Sequence, residues 1–142
     1  MSEAKGNSGN SGNSGNGGPA GRSLVYVVDD EPMLLELARV ILEPHGYVIR
    51  TFRDPDLALE SFKSASPRPD LLVTDYAMHT MNGMQLVERF RRISPQQKIL
   101  LVSGTVGEEI FQNSLARPDS FLAKPYQAHQ LTNAVAELLA SK

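Results

Sequence analysis

The chain has 142 residues, a formal net charge of −2 and no cysteine, which suits a single domain and gives no sign of a disulfide framework. The nearly balanced charge argues against direct binding of nucleic acid, and no apolar run approaches the roughly 18 residues of a membrane span. The first 30 residues contain no hydrophobic signal core, so we expect a cytoplasmic protein that does not bind a membrane.

The N-terminal segment differs in composition from the rest of the chain. Residues 6–18 read GNSGNSGNSGNGG, in which glycine, asparagine and serine repeat with a period of three. This segment has nothing apolar to bury, so the conformational entropy lost on ordering would not be compensated. We predict a flexible, disordered tether over residues 1–22, natural or engineered, and one folded domain over residues 23–142.

Short apolar runs of strand-forming residues alternate with helical patterns along the predicted domain. The predicted strands cover residues 24–28, 47–51, 71–74, 98–102 and 120–123. Helical spacing predicts five helices, which begin at Pro32, after Asp54, near Gly83, weakly around residue 108, and after Pro125. Parallel strands need long crossover connections, so the alternation predicts an α/β, doubly wound fold with a five-stranded parallel sheet between helices.

Polar side chains follow four of the predicted strands. They are Asp29 and Asp30 after the first strand, Asp75 after the third, Ser103 after the fourth and Lys124 after the fifth. Alone, two adjacent aspartates are more often a turn or a helix cap. Because open parallel sheets bind ligands beyond the carboxyl ends of their strands, the coincidence of all five residues predicts one site there.

The chemistry of these side chains points to a metal and a phosphoryl group. Three neighbouring carboxylates repel one another unless a cation joins them, and oxygen ligands without histidine or cysteine favour Mg²⁺. A carboxylate can also attack phosphorus and form an aspartyl phosphate. We predict Asp75, on the central strand, as the nucleophile and the earlier aspartate pair as metal ligands, with Lys124 and Ser103 contacting phosphoryl oxygens.

Four strings of sequence resemble the receiver domain of two-component response regulators. They are VVDDEP at 27–32, DYAMHTMNG at 75–83, LLVSG at 100–104 and FLAKP at 121–125. The resemblance implies a flavodoxin-like sheet in the order 2-1-3-4-5. It also implies that Asp75 accepts a phosphoryl group from a sensor histidine kinase or a phosphotransfer protein, with Lys124 and Ser103 as the other catalytic residues. The implied ligands of Mg²⁺ are Asp29, Asp30, Asp75 and the backbone carbonyl of Ala77.

The resemblance further implies a switch at Ser103 and Phe121. In the family, phosphorylation draws the hydroxyl inward and the aromatic ring follows, which alters the face formed by helix four, strand five and helix five. Such a protein catalyses its own phosphotransfer and slow dephosphorylation, and is not a turnover enzyme on an external substrate. No output domain fits after Lys142, so we expect the output to pass through a partner protein or a further phosphoryl relay. The kinase, the partner and dimerisation on phosphorylation stay open, as does origin from a larger protein.

Three positions depart from the family pattern. His79 stands where proline is usual, and is expected to be exposed or, alternatively, to touch the phosphoryl group. Gly104 replaces the commoner alanine after the hydroxyl residue. The stretch ARPD at 116–119 precedes the fifth strand where the family usually has a glycine-alanine pair, so the region of the predicted fourth helix departs from the family pattern.

Two functions of other classes compete with the switch. One is a phosphorylation-independent interaction module on the same fold, against which the retention of all five polar positions argues. The other is a metal-dependent phosphohydrolase, whose usual sign is an aspartate repeated two residues after the first. Here Asp29 and Asp30 are adjacent, so this alternative ranks last.

Overall fold

The computed structural model describes residues 22–104, 107 and 116–141. Within these residues, strands and helices alternate along the chain. The strands are β1 (Leu24–Val28), β2 (Val48–Phe52), β3 (Leu71–Asp75), β4 (Ile99–Ser103) and β5 (Ser120–Ala123). The α-helices are α1 (Pro32–Leu42), α2 (Pro55–Ser64), α3 (Gly83–Ile93) and α4 (Ala128–Ala140), and a 3₁₀ turn (Glu43–His45) follows α1.

Two predicted elements fall on residues that the structure does not describe. The predicted tether, apart from its last residue, lies outside the described residues, as does the helix predicted around residues 108–115. The fifth predicted helix is therefore α4 in the numbering used here. No helix among the described residues is long and apolar enough to cross a membrane.

The strands form one parallel sheet in the order β2-β1-β3-β4-β5. This order confirms the predicted fold class. Every residue of β1, β3 and β4 is buried, as expected for inner strands of a parallel sheet with both faces covered. The edge strands β2 and β5 carry exposed residues, so the core and the best-enclosed strand ends lie at the centre of the sheet.

The boundaries of three strands, β2, β3 and β4, differ from the predictions by one residue. β2 begins at Val48 and β4 begins at Ile99, one residue later than predicted in each case. Lys98 contributes its carbonyl group to the sheet by accepting a hydrogen bond from the backbone N–H of Leu72 at 2.9 Å. β3 and β4 each extend through the polar residue at the predicted strand end. Asp75 and Ser103 are thus the last residues of strands rather than the first residues of loops.

Alternate residues of the strands divide the core into two layers. Tyr26 packs on the side of α2 and α3, with Phe62 and Phe90, whose ring centroids are 4.2 Å apart. Its neighbour Val27 packs on the opposite side with apolar residues of α1 and α4. Successive side chains of a strand point to opposite faces, so both layers hold the same strands and fix their carboxyl ends at one edge.

Candidate functional site

The structure brings Asp29, Asp30 and Asp75 together at the carboxyl edge of the sheet. β1 and β3 are neighbours in register, with Val28 opposite Thr74, so the residues that follow them meet. One carboxylate oxygen of each aspartate lies within 4.8 Å of the corresponding atoms of the other two. Asp29 and Asp75 are buried, at 6% and 7% exposure, whereas Asp30 is half-buried. The two inner carboxylates are therefore poorly solvated.

Lys124 places a cation between the two buried carboxylates. Its Nζ lies 2.8 Å from Oδ1 of Asp75 and 3.3 Å from Oδ2 of Asp29. The backbone N–H of Lys124 donates to the carbonyl of Ser103 at 2.9 Å, which extends the pairing of β4 and β5 by one residue. A single ammonium against three carboxylates leaves the cluster with excess negative charge.

Burial and the charges of the cluster both shift pKa values in the site. Burial raises the pKa of Asp29 above its ordinary value, and the charge of Asp75 adds to the rise. The backbone N–H of Glu31, which donates to Oδ1 of Asp29 at 2.9 Å, and the Lys124 ammonium oppose that rise only in part. Burial lowers the pKa of Lys124, but the hydrogen bond to Asp75 and the charges of both carboxylates outweigh it, so this pKa lies above its ordinary value. The site favours an added positive charge.

The donor set of the cluster fits Mg²⁺. Its three ligand groups are carboxylates, the oxygen ligands that a hard dication prefers. A dication would oppose the burial and the repulsion by Asp75 that together raise the pKa of Asp29, because it favours the ionised form of every carboxylate near it. Ala77, whose carbonyl is the other predicted ligand, lies exposed in the loop that follows β3.

Ser103 and Phe121 lie on adjacent strands near the cluster. Ser103 ends β4 and is 2% exposed, and it is opposite Ala123 in the β4–β5 register. Phe121 is half-buried on β5 and packs against a small cluster that contains Met84 and Leu101, beside Tyr76. The structure thus places the hydroxyl and the ring on neighbouring strands, two register positions apart.

His79 is exposed, which confirms the first of the two predictions made for this residue. Its side chain is 90% exposed, and its Nδ1 lies 2.8 Å from Oδ2 of Asp30. This contact was not predicted from the sequence. Asp30 and His79 belong to different loops, and no periodic pattern relates loops to one another. The only sequence signal was the absence of the usual proline.

Gly83 packs against the backbone of Asp75, a role that was not predicted from the sequence. A Cβ atom at Gly83 would lie 2.5 Å from the backbone oxygen of Asp75 and 2.7 Å from a side-chain carbon of Leu101. The first turn of α3 is fixed by reciprocal hydrogen bonds between Asn82 and Gln85, at 2.9 and 2.8 Å. The spacing N-x-x-Q is a sequence signal for such a capping box. Close packing of α3 therefore holds the backbone of Asp75.

Comparison with known proteins gives a family match over most of the chain. The family model described as "Response regulator receiver domain" matches residues 25–136. Among curated proteins, the nitrogen assimilation regulatory protein NtrX of Azorhizobium caulinodans is 33% identical over 110 residues, which cover 75% of this chain. The chain spans only 24% of the length of NtrX.

Solved structures with the same fold include two with at least a quarter of their residues identical. A CheY-like receiver domain protein from Methanospirillum hungatei JF-1 has a TM-score of 0.77 and 25% identity, over 83% of this chain and 94% of that one. The response regulator protein TrrA of Thermotoga maritima, solved in complex with Mg²⁺ and BeF, has a TM-score of 0.71 and 27% identity, over 82% and 98%.

Proposed function

Because the chain belongs to the response regulator receiver domain family, we propose that it is a phosphorylation-dependent switch that accepts a phosphoryl group on Asp75. Relatives such as NtrX are regulatory proteins, and response regulators act in signalling rather than as turnover enzymes. The phosphoryl donor is a sensor histidine kinase or a phosphotransfer protein. The output is a change in the surface that a partner protein binds.

One observation carries this proposal. A single ammonium, that of Lys124, lies within 2.8 Å of Asp75 and 3.3 Å of Asp29, beside a third carboxylate that it does not neutralise. A cluster built only for stability would balance its charges, because uncompensated buried charge is costly. This cluster instead combines an acceptor carboxylate with a single ammonium, and its three carboxylates leave a net negative charge at the sheet edge.

The acidic residues have distinct tasks in this proposal. Asp29, Asp30, Asp75 and the carbonyl of Ala77 hold Mg²⁺, which supplies charge neutralisation for the transferring phosphoryl group. The predominantly buried position of Asp29 and Asp75 strengthens each electrostatic interaction there, since the local dielectric is lower than that of water. Support comes from the oxygen-only donor set.

The chain's own side chains carry the group transfer. An oxygen of Asp75 forms a bond to phosphorus while the bond from phosphorus to the donor atom breaks and its electron pair leaves with the donor. Lys124 contacts one phosphoryl oxygen through Nζ, and Ser103 donates its hydroxyl to another. Both groups stand at strand ends on the same edge as Asp75, so neither needs a large rearrangement to reach it.

The proposed switch uses Ser103 on β4 and Phe121 on β5. Inward movement of the Ser103 hydroxyl vacates space into which the ring of Phe121 turns, and the phosphoryl contacts favour this arrangement over the resting one. The half-buried position of Phe121 is consistent with a ring that has two packing states. The surface that changes includes β5 and α4. The predicted fourth helix, which would complete it, lies outside the described residues.

A small phosphodonor tests the proposal directly. Incubation with acetyl phosphate and Mg²⁺ should add one phosphoryl group to the intact chain, as read by mass spectrometry, and Asp75→Asn should abolish the gain. The matched variant Asp56→Asn, which removes an exposed carboxylate of α2, should keep it. An interaction module that works without phosphorylation would show no mass gain, and a phosphohydrolase would release phosphate from an ester with repeated turnover.

A further inference from the structure

A pocket adjoins the acidic cluster on the side of α2. It has a volume of about 160 Å³ and is lined by Asp30, Arg53, Asp54, Pro55, His79 and Thr80. Asp30 and His79 therefore line the pocket and also form the outer rim of the cluster. A cavity of about 150 Å³ accommodates a ring of six carbon atoms, so this pocket has room for a group of four to six heavy atoms.

Arg53 supplies the guanidinium of this pocket, and the two carboxylates of the pocket already have partners. Asp54 accepts a hydrogen bond from the backbone N–H of Asp56 at 2.9 Å, and Asp30 has the 2.8 Å contact with His79. Within residues 22–104, 107 and 116–141, Arg53 has no hydrogen bond or ion pair. A guanidinium offers a planar fork of donors that matches a carboxylate bidentately.

The proposed phosphoryl transfer releases a leaving group from the donor, and an anionic leaving group is one that the guanidinium of Arg53 can bind. The bond that breaks in the donor lies roughly in line with the bond that forms to Asp75, so the leaving group departs away from the buried acceptor, toward the solvent side of the cluster, where the exposed His79 lies against Asp30. When the donor is an acyl phosphate, the leaving group is a carboxylate. Its oxygen takes the electron pair of the broken bond to phosphorus and carries a full negative charge, without any proton transfer.

We propose that this pocket, with Arg53 as its anchor, binds the carboxylate leaving group of an acyl phosphate while Asp75 takes the phosphoryl group, an inference that rests on the function proposed above. Negative charge on the leaving oxygens grows as the bond to phosphorus breaks. Arg53 therefore binds the group more strongly in the transition state than in the free donor, and this difference accelerates the transfer. A donor whose leaving group has no carboxylate gains nothing from Arg53.

Two donors that differ in the leaving group test this assignment. Acetyl phosphate releases a carboxylate, whereas phosphoramidate releases a nitrogen group. The rate of phosphoryl incorporation by Mg²⁺-loaded protein is followed by intact mass spectrometry for wild type, Arg53→Gln, Arg53→Lys and Arg92→Gln. The last variant removes an exposed charge from the end of α3 and controls for net charge. Binding of beryllofluoride to each variant checks that the Asp75 site is intact.

We expect Arg53→Gln to slow transfer from acetyl phosphate about tenfold, the factor associated with loss of one charge-assisted hydrogen bond. Transfer from phosphoramidate should change less than about twofold, Arg53→Lys should recover part of the loss, and Arg92→Gln should match wild type. Equal slowing with both donors, or no slowing with either, would overturn the assignment of Arg53 while leaving Asp75 as acceptor. Failure of the wild type with both donors would instead overturn the proposed function on which the assignment depends.

Discussion

The Nζ of Lys124 lies 2.8 Å from Oδ1 of Asp75, although Asp75 ends β3 and Lys124 follows β5, and these two strands are not neighbours in the sheet. β4 separates β3 from β5, so the lysine side chain spans the end of β4 to reach the acceptor. The same ammonium reaches Asp29 beyond β3. Lys124 thus connects the ends of three strands, and the stability of the edge depends on a group that the proposed chemistry also uses.

Replacement of Lys124 should therefore lower stability as well as abolish phosphoryl acceptance. Lys124→Met leaves Asp29 and Asp75 buried without their cation, and in the absence of divalent metal the free energy of unfolding should fall by about 1–3 kcal/mol. Urea unfolding in EDTA measures this loss, and added Mg²⁺ should restore part of it. The control Lys63→Met breaks an exposed pair with Glu60 on α2 and should cost under about 1 kcal/mol. Equal losses in the two variants would contradict the bridging role of Lys124.

The raised pKa of Asp29 predicts a pH dependence of stability. Because burial raises this pKa above its ordinary value of 3.8, the folded state binds the proton more tightly than the unfolded state does. The free energy of unfolding should then fall as the pH rises from that ordinary value through the raised one, since the unfolded chain ionises first. In Asp29→Asn this contribution is absent.

The measurement for Asp29 is a series of urea unfolding curves across the acidic range. In EDTA, Asp29→Asn should gain stability relative to wild type as the pH rises through the window that begins near 3.8. Excess Mg²⁺ should reverse the wild-type trend, because a dication favours the ionised carboxylate. Parallel curves for the two proteins in EDTA would contradict the assigned pKa shift.

The fold was predictable from sequence because its determinants are local and periodic. Apolar runs of strand length, separated by helical spacing, define β1 to β5, and Pro32 and Asp54 mark the starts of helices through the preferences of helix N-termini. The order of the strands has another source, because the alternation of elements is compatible with several orders. The predicted strand order came from the resemblance to receiver domains, and the parallel pairings of the strands confirm it.

The site residues that could be predicted from the sequence are those whose positions are determined by the ends of strands. Asp29, Asp75 and Lys124 meet because the carboxyl ends of parallel strands share an edge. His79 and Arg53 lie in loops, and their approach to Asp30 depends on loop conformations that have no period in the sequence. The tight packing of Gly83 against Asp75 was likewise invisible, since a glycine that begins a helix carries no sign of what lies behind it.

Gly83→Ala should disturb the acceptor through its backbone. The added Cβ would lie 2.5 Å from the backbone oxygen of Asp75 and 2.7 Å from Leu101, distances that require α3 or β3 to shift. We expect a loss of about 1–3 kcal/mol in the free energy of unfolding, as for other overpacked sites, together with weaker beryllofluoride binding. Gly104→Ala is the control, because its Cβ would lie 3.2 Å from Cβ of Lys124 and needs a smaller adjustment. Similar effects from both substitutions would argue against a specific role for the packing of α3.

Ser103→Ala should separate phosphoryl binding from the response of Phe121. Without the hydroxyl, transfer from a small phosphodonor should slow about tenfold, the factor for one hydrogen bond to a charged group, while the metal ligands stay in place. The ring of Phe121 should then lose its response, because nothing draws the end of β4 inward. Chemical shifts of the Phe121 ring with and without beryllofluoride measure this coupling, with Ser64→Ala on α2 as the control. A ring that shifts equally in wild type and Ser103→Ala would show that the hydroxyl does not couple Asp75 to Phe121.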